Sequence, residues 1–186
     1  MRADRPPPPP LDGPALERLA LRYVERFATT RGRLADYLRR KLRERGWAGA
    51  EAADPTALAE RMAAAGYIDD RAYGEAKAAS MARRGLGARR VTGALRAARI
   101  EDADMGAITP AIDARSWAAA VAFARRRRIG PFAAAPAERG AREKQIAAMA
   151  RAGHPFALAR RLAELPPGGL SEDNAEADEH CGRFEC

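Results

Sequence analysis

Apolar residues recur at three- and four-residue steps along most of this chain, the spacing that places them on one face of an α-helix. The first run extends from Leu16 to Phe27, and in the second Leu34, Leu38 and Leu42 are each four residues apart. No stretch alternates apolar and polar residues as a half-buried strand requires. The pattern therefore predicts an all-α fold.

Helix start and stop signals divide the pattern into nine helices. Asp12 and Asp54 lie just before a first-turn proline, an arrangement typical of a helix start. Gly46 and Gly66 supply the positive φ that a helix end often needs. Comparable signals predict further starts at Asp69 or Asp70, Gly87, Asp102 and Pro155, and further ends at Gly85, Gly153 and Pro166.

The middle helices of three successive groups end alike, which indicates a repeat. The similar segments are Leu42–Trp47, Leu95–Ile100 and Met149–His154, whose leading residues are 53 and 54 positions apart. Each begins with an apolar residue, continues through a basic helix end to Gly or Arg, and closes on a bulkier residue. We therefore expect tandem three-helix units that stack into an elongated, curved body.

The predicted organisation has five parts. A proline-rich disordered arm covers residues 1–13, and its run of prolines favours an extended polyproline II conformation. The three-helix repeats cover residues 14–68, 69–113 and 114–165. An acidic tail over residues 166–186 has too few apolar residues to build a core and is expected to be disordered.

Composition changes this picture in two ways. Hydrophobic residues make up 47% of the chain but much of that is alanine, and aromatic residues only 6%, so we expect many thin helix interfaces rather than one large core. The net charge is +8, and six acidic residues against one arginine lie within residues 171–186. The surplus elsewhere suits a polyanionic partner, either nucleic acid or an acidic protein surface. The alternative is that arginine simply coats solvated helix faces.

Candidate chemistry for catalysis is sparse. The glycines of Gly85–Gly87 form a helix break and not a phosphate-binding loop, since no strand precedes them. The pair Asp69–Asp70 is better explained by helix capping than by acid–base work. His180, Cys181 and Cys186 provide fewer ligands than a structural zinc site takes. The sequence predicts a binding protein with no enzymatic activity, metal or cofactor.

The cellular setting is predicted from cysteine usage and hydropathy. Both cysteines lie in the acidic tail, so no disulfide framework is expected, as in a reducing cytosol. No apolar run has membrane-spanning length, and the proline-rich start does not resemble a signal peptide. We expect a cytoplasmic protein, monomeric, without a membrane partner.

Arginines occupy the polar faces of the predicted helices. On a helical wheel, the second helix places its leucines opposite Arg39, Arg40 and Arg43. The planar guanidinium group suits phosphate and carboxylate recognition because it can donate to two oxygens together. The candidate contacts for a polyanionic partner are Arg39, Arg43, Arg83, Arg84, Arg89, Arg90, Arg96, Arg99, Arg125, Arg126, Arg127 and Arg128.

One stretch resembles a known family. The segment Gly66-Tyr67-Ile68-Asp69-Asp70-Arg71-Ala72-Tyr73 is similar to the most characteristic stretch of the RecX family, and Arg83–Val91 and Arg31–Gly46 match neighbouring parts in order and spacing. The resemblance spans roughly residues 15–165. The glycine- and proline-containing stretch 130–140 departs from it as an insertion within the third repeat. The motif residues Gly66, Tyr67, Ile68, Asp69, Asp70 and Tyr73 are expected to be structural.

The resemblance implies tandem three-helix repeats and a regulatory role. Members of the family bind the RecA recombinase or its filament on single-stranded DNA, suppressing ATP hydrolysis and strand exchange. RecA is thus the expected partner and single-stranded DNA a secondary one. The alternative is a free-standing, basic helical nucleic-acid-binding protein. Scarce exposed aromatic residues argue against base stacking in that case, and no helix offers the side chains typical of direct base readout.

Overall fold

The computed structural model describes residues 8–170, and that part of the chain contains nine α-helices, one short 3₁₀ helix and no strand. The all-α class and the repeating helical pattern are confirmed. The 3₁₀ helix, Gly130–Phe132, lies in the predicted loop before the eighth helix. The α-helices are α1 (Gly13–Arg26), α2 (Arg31–Arg45), α3 (Pro55–Ala64), α4 (Asp70–Arg83), α5 (Ala88–Ala97), α6 (Asp102–Asp113), α7 (Ser116–Arg127), α8 (Arg139–Arg151) and α9 (Phe156–Glu164).

Most of the predicted helix starts carry the expected caps. The carboxylates of Asp12, Asp54 and Asp69 each accept a hydrogen bond of 2.8–3.0 Å from a backbone N–H in the following first turn. The prediction that Asp102 caps the sixth helix is wrong by one residue, because Glu101 precedes the helix and Asp102 is its first residue. Asp102 still lies in the first turn, where the helix dipole favours a negative charge.

Two compact units divide the chain. Of the described residues, the first unit contains those from 8 to 73 together with Ala98–Ile100, and the second contains Gly74–Ala97 and residues 101–170. In the first unit α1, α2 and α3 pack around a leucine-rich core. Its largest buried side chains are Leu11, Leu16, Leu34, Leu38, Leu58 and Ile68.

The second unit has the thin, alanine-rich interfaces that composition predicts. Around Phe123, Met149 and Leu162 the buried positions of α7, α8 and α9 are mostly alanine. Val91 and Leu95 of α5 are buried as the helical wheel requires. Small side chains let helix backbones approach closely, so these helices gain contact area without large apolar groups.

The predicted disordered arm is wrong at its C-terminal end. Leu11 is fully buried in the first core. Its N–H donates to the Gly46 carbonyl at 3.0 Å, and its own carbonyl accepts from the Ala48 N–H at 2.8 Å. One apolar side chain among prolines is enough to anchor the segment, because both its backbone groups find partners in the loop after α2. Residues 1–7 of the arm lie outside the described part.

The predicted disordered tail needs a similar correction at its start. Leu170 packs against the core of the second unit, and the Gly168 N–H donates to the Pro131 carbonyl at 2.9 Å. Residues 166–170 are therefore ordered. The rest of the tail, with His180, Cys181 and Cys186, lies outside the described residues.

Two negative findings hold for residues 8–170. No helix there has both the length and the apolar character needed to cross a bilayer. No group of three or more His, Cys, Asp or Glu side chains in that range is placed to hold a metal ion.

Candidate binding cleft

An open cleft of about 600 Å³ lies along α2 in the first unit. Positions three and four residues apart share a face of a helix, so α2 presents a row of polar side chains to this cleft. Of the predicted contacts, Arg39, Arg43 and Arg99 line it. The full lining is Tyr23, Arg33, Asp36, Tyr37, Arg39, Arg40, Arg43 and Arg99.

A single carboxylate organises two of the cleft arginines. Asp36 accepts hydrogen bonds from Nη1 of Arg39 at 3.0 Å and from Nε of Arg99 at 3.1 Å. Arg39 also donates to the Thr56 hydroxyl at 2.7 Å. The side chain of Arg43 is exposed and has no hydrogen-bond or ion-pair partner among residues 8–170. The cleft therefore keeps a strong positive charge with donors to spare.

Arg99 reaches the cleft through a close backbone approach. It adopts a left-handed conformation with φ of 60° directly after α5. A Cβ on Gly32 would lie only 2.2 Å from the Arg99 Cβ, so position 32 has no room for any side chain. The Thr30 hydroxyl donates to the Ala98 carbonyl beside it. The start of α2 thus receives residues 98–100 and brings a distant arginine to the site.

Asp70 of the family-like motif fixes the start of α2. It is 4% exposed, and its carboxylate accepts from the backbone N–H of Arg31 at 2.9 Å and from Nε of the same residue at 3.2 Å. Arg31 also pairs with Glu60 at 3.1 Å. Burial alone would lower the pKa of Arg31, but the bonds to Glu60 and Asp70 raise that pKa above its ordinary value. The network pairs the Arg31 guanidinium with two carboxylates and holds the start of α2 in place.

Tyr73 of the same motif positions a cleft arginine. Its hydroxyl accepts a hydrogen bond of 2.7 Å from Nη1 of Arg33, and the guanidinium carbon lies 5.8 Å from its ring centroid. Arg33 was not among the predicted contacts. Ile68 belongs to the core beneath, and Gly66 follows α3 with φ of 82°. Motif residues therefore support both the helix and one of the side chains that build the cleft.

The predicted arginines at the start of α5 do not line the cleft but donate to backbone carbonyls. In the second unit, Arg89 donates from Nη2 to the Ala150 carbonyl at 3.3 Å, and Arg90 from Nε to the Arg151 carbonyl at 3.1 Å. The backbone N–H of Gly87 donates to the Ala152 carbonyl at 3.0 Å. The last carbonyls of a helix lack partners within that helix. These two arginines satisfy carbonyls at the end of α8.

The contact between the start of α5 and the end of α8, here called the second junction, also requires glycine at two positions. A Cβ on Gly87 would lie 2.3 Å from the carbonyl carbon of Gly153, which itself has φ of +97°. The adjacent His154 is buried, with Nε2 3.1 Å from the Gly85 carbonyl. Burial lowers the pKa of His154, and its hydrogen bond with Gly85 offsets only part of that effect.

The arginines at the end of α7 are exposed. Two of them contact aromatic rings and one contacts a backbone carbonyl. Arg125 lies over the Phe132 ring at 5.2 Å and Arg127 over the Phe123 ring at 6.0 Å. Arg126 donates to the Arg84 carbonyl. The remaining predicted contacts in this unit have exposed side chains without a partner among residues 8–170. They are Arg83, Arg84, Arg96 and Arg128.

Three aromatic rings gather beside the cleft, a grouping that the sequence pattern did not predict. Tyr23 and Tyr37 stack with centroids 4.3 Å apart and planes at 25°. Phe27 packs on Tyr23 at 5.3 Å and is 48% exposed. The four-residue spacing of Tyr23 and Phe27 on α1 could have indicated that pair. The addition of Tyr37 depends on how α1 and α2 pack.

Comparison with known proteins adds one relative. No protein-family model matches the chain. A curated protein of Myxococcus xanthus (strain DK1622), named "Regulatory protein RecX", is 31% identical over 167 residues, which cover 82% of this chain and 86% of the relative. A likeness of this extent is sufficient to show a common family.

Proposed function

Because the chain belongs to the RecX family of regulatory proteins, we propose that it binds the RecA filament on single-stranded DNA and inhibits RecA's ATPase and strand exchange. It does so by binding and not by catalysis. The observation that carries the proposal is the arginine-lined cleft of the first unit, in which residues of the family-like motif hold the start of α2 and the side chain of Arg33.

The charge of the cleft matches such a partner. A nucleoprotein filament offers phosphates and acidic side chains, and each guanidinium fork can donate to two oxygens of either group. Arg43 has all its donors available, whereas Arg39 and Arg99 are oriented by Asp36. Oriented side chains lose less conformational entropy on binding, so the cleft is partly prepared for an anionic surface.

The remaining predicted arginines extend the proposed contact. In the second unit Arg83, Arg84, Arg96 and Arg128 supply guanidinium groups that no residue in the described range 8–170 pairs with. Arg89, Arg90, Arg125, Arg126 and Arg127 contribute charge while also contacting carbonyls or rings. We propose that the protein acts as a cytoplasmic monomer, without a cofactor.

The test is RecA's ATPase rate on single-stranded DNA with this protein added well below the RecA concentration. We expect clear inhibition at that ratio, because blocking filament growth needs few molecules. Arg43→Gln should weaken inhibition, and the matched control Arg18→Gln should not, since Arg18 is an exposed, unpaired α1 arginine outside the cleft. Absence of inhibition at every ratio would contradict the proposal.

A free-standing nucleic-acid-binding role is the second candidate, and the rings beside the cleft arginines favour it. In that case affinity for DNA alone should be high and should fall steeply with salt as counterions are released. Replacing Arg89 and Arg96 with Glu separates the two roles. The regulatory role predicts that RecA inhibition weakens more than DNA binding does, whereas equal loss in both assays would favour the alternative.

A further inference from the structure

Phe27 is an apolar ring left half in water. It is 48% exposed and follows the last residue of α1. It lies at one end of a set of three rings, because Tyr23 contacts both Phe27 and Tyr37. A phenylalanine is normally buried, whereas this one packs on the Tyr23 ring and still exposes about half of its surface.

Arginines surround these rings. The guanidinium carbon of Arg26 lies 5.3 Å from the Phe27 centroid, and that of Arg40 lies 5.5 Å from the Tyr37 centroid. The rings border a second recess, of about 360 Å³, which shares Tyr23, Tyr37 and Arg40 with the cleft. The lining of this recess is Arg22, Tyr23, Arg26, Phe27, Tyr37 and Arg40.

We propose that the recess and the cleft form one site for single-stranded nucleic acid, in which a base stacks on Phe27 and the adjoining phosphates bind the cleft arginines. The inference rests on the proposed function in that a RecA filament would supply the strand. Rings that alternate with cations are the arrangement by which proteins hold single strands without reading sequence, since every base has a π-face.

Other polyanions fit this surface less well. A duplex would use the arginines, but its bases are stacked on each other and offer no free face to Phe27. An acidic protein segment would also pair with Arg22 and Arg43, whose side chains have no partner among residues 8–170, and would leave the exposed ring without a role. Only an unpaired strand uses both the charge and the ring.

The experiment compares two oligomers by fluorescence anisotropy, without RecA. One is an oligothymidylate of about 12 nucleotides, within the usual site size, and the other is an abasic deoxyribose-phosphate oligomer of equal length. We expect the natural protein to bind the oligothymidylate more tightly. Phe27→Leu, which keeps an apolar side chain but removes the ring, should weaken that binding by about 5- to 100-fold and leave the abasic oligomer unaffected.

Matched variants separate stacking from other causes. Phe156 is an exposed phenylalanine of the second unit, and Phe156→Leu should change neither affinity. Phe27→Trp restores a ring and should restore the preference for bases. Arg43→Gln should weaken binding of both oligomers alike and reduce the salt dependence by the equivalent of about one phosphate contact. Circular dichroism on each variant checks that the fold is retained.

Two results would overturn the inference. One is equal affinity of the natural protein for the two oligomers, and the other is a folded Phe27→Leu variant that still prefers the oligothymidylate as strongly. The RecA ATPase assay keeps the two proposals apart. Inhibition of RecA without any preference for bases overturns the stacking site alone, whereas a base preference without inhibition overturns the regulatory role alone.

Discussion

In the first unit the arginines of α2 line an open cleft, whereas in the second unit the arginines at the start of α5 donate to backbone carbonyls at the end of α8. Arg39 and Arg43 lie in the second half of α2, whereas Arg89 and Arg90 lie in the first turn of α5. The difference is that the carbonyls of Ala150 and Arg151 lie within reach of the second pair. Arginines on a helix face thus keep their donors available only where no neighbouring helix end accepts from them.

The two regions nevertheless share a construction principle. In each, the start of a middle helix admits a distant helix end at a position where no side chain fits. At Gly32 the distant residue is Arg99, and at Gly87 it is Gly153. Both distant residues have a positive φ. The close approach brings Arg99 to the cleft in the first unit, and in the second it completes the hydrogen bonding of a helix end.

The largest effect is expected from filling the second junction. Gly153→Ala places a Cβ 2.6 Å from the Arg90 nitrogen at a position with φ of +97°, and should lower the free energy of unfolding by about 2–4 kcal/mol. Gly93→Ala, within α5 and with open space around it, should instead raise it by up to about 1 kcal/mol. Urea denaturation measures both. If both variants change the free energy of unfolding by equally small amounts, the second junction has room for the added methyl group and the prediction is wrong.

The next effect concerns the support of the first unit's cleft. Asp70→Ala removes the buried carboxylate that binds Arg31 and leaves a backbone N–H without its partner. We expect a loss of about 2–3 kcal/mol in unfolding free energy. Asp69→Ala removes only a helix cap and should cost about 1 kcal/mol. If thermal unfolding ranks the two variants in the opposite order, Asp70 is not the anchor described above.

A smaller effect should separate the arginines of the two regions directly. Arg90→Gln loses a charge-assisted bond to a helix-end carbonyl, so it should lower unfolding free energy by about 1 kcal/mol. Arg43→Gln should leave stability within about 0.5 kcal/mol while weakening binding of the polyanionic partner. Denaturation and oligomer anisotropy on the same two variants test this contrast. A stability loss at Arg43 as large as at Arg90 would contradict it.

The smallest effect is a dependence of stability on pH at the second junction. Because burial lowers the pKa of His154 in the folded state below its ordinary 6.5, the unfolded chain binds a proton first as pH falls. His154 therefore contributes its full stability above pH 6.5, and part is lost as pH decreases through that value towards the folded pKa. Comparing unfolding free energies between pH 7.5 and about 5.5 should show a decline that His154→Gln reduces, since carboxylates titrate lower. An unchanged decline would assign it to other groups.

Local features of the sequence account for the fold class. Helical periodicity in runs such as Leu34, Leu38 and Leu42 requires one apolar face whatever that face meets. Carboxylates at Asp12, Asp54 and Asp69 cap helices through bonds to residues two or three positions away. Local features could not predict that the last residues of the arm and the first residues of the tail are ordered. Leu11 and Leu170 are held by partners that are distant in the chain.

For the candidate site, the sequence could predict that arginines contribute, but not which arginines meet there. The wheel of α2 identified Arg39 and Arg43 as outward-facing, and outward charge is a local property. It could not identify Arg33, whose position depends on Tyr73, nor the use of Arg90 by a carbonyl of α8. Long side chains with several donors take whichever partner the packing of other helices provides.

The amino-acid sequence is sufficient to predict the all-α class, most of the aspartate caps, the repeat and the family, because each depends on neighbours within a few positions or on a contiguous motif. The tertiary structure alone decided which arginines face a cleft, which complete a helix end and which rings meet beside them. Those outcomes depend on contacts between residues distant in the chain, such as Asp36 with Arg99 and Tyr23 with Tyr37. The close approach at Gly32 and the packing of α1 on α2 set these two contacts, and no local pattern encodes which residue a glycine or a ring will meet.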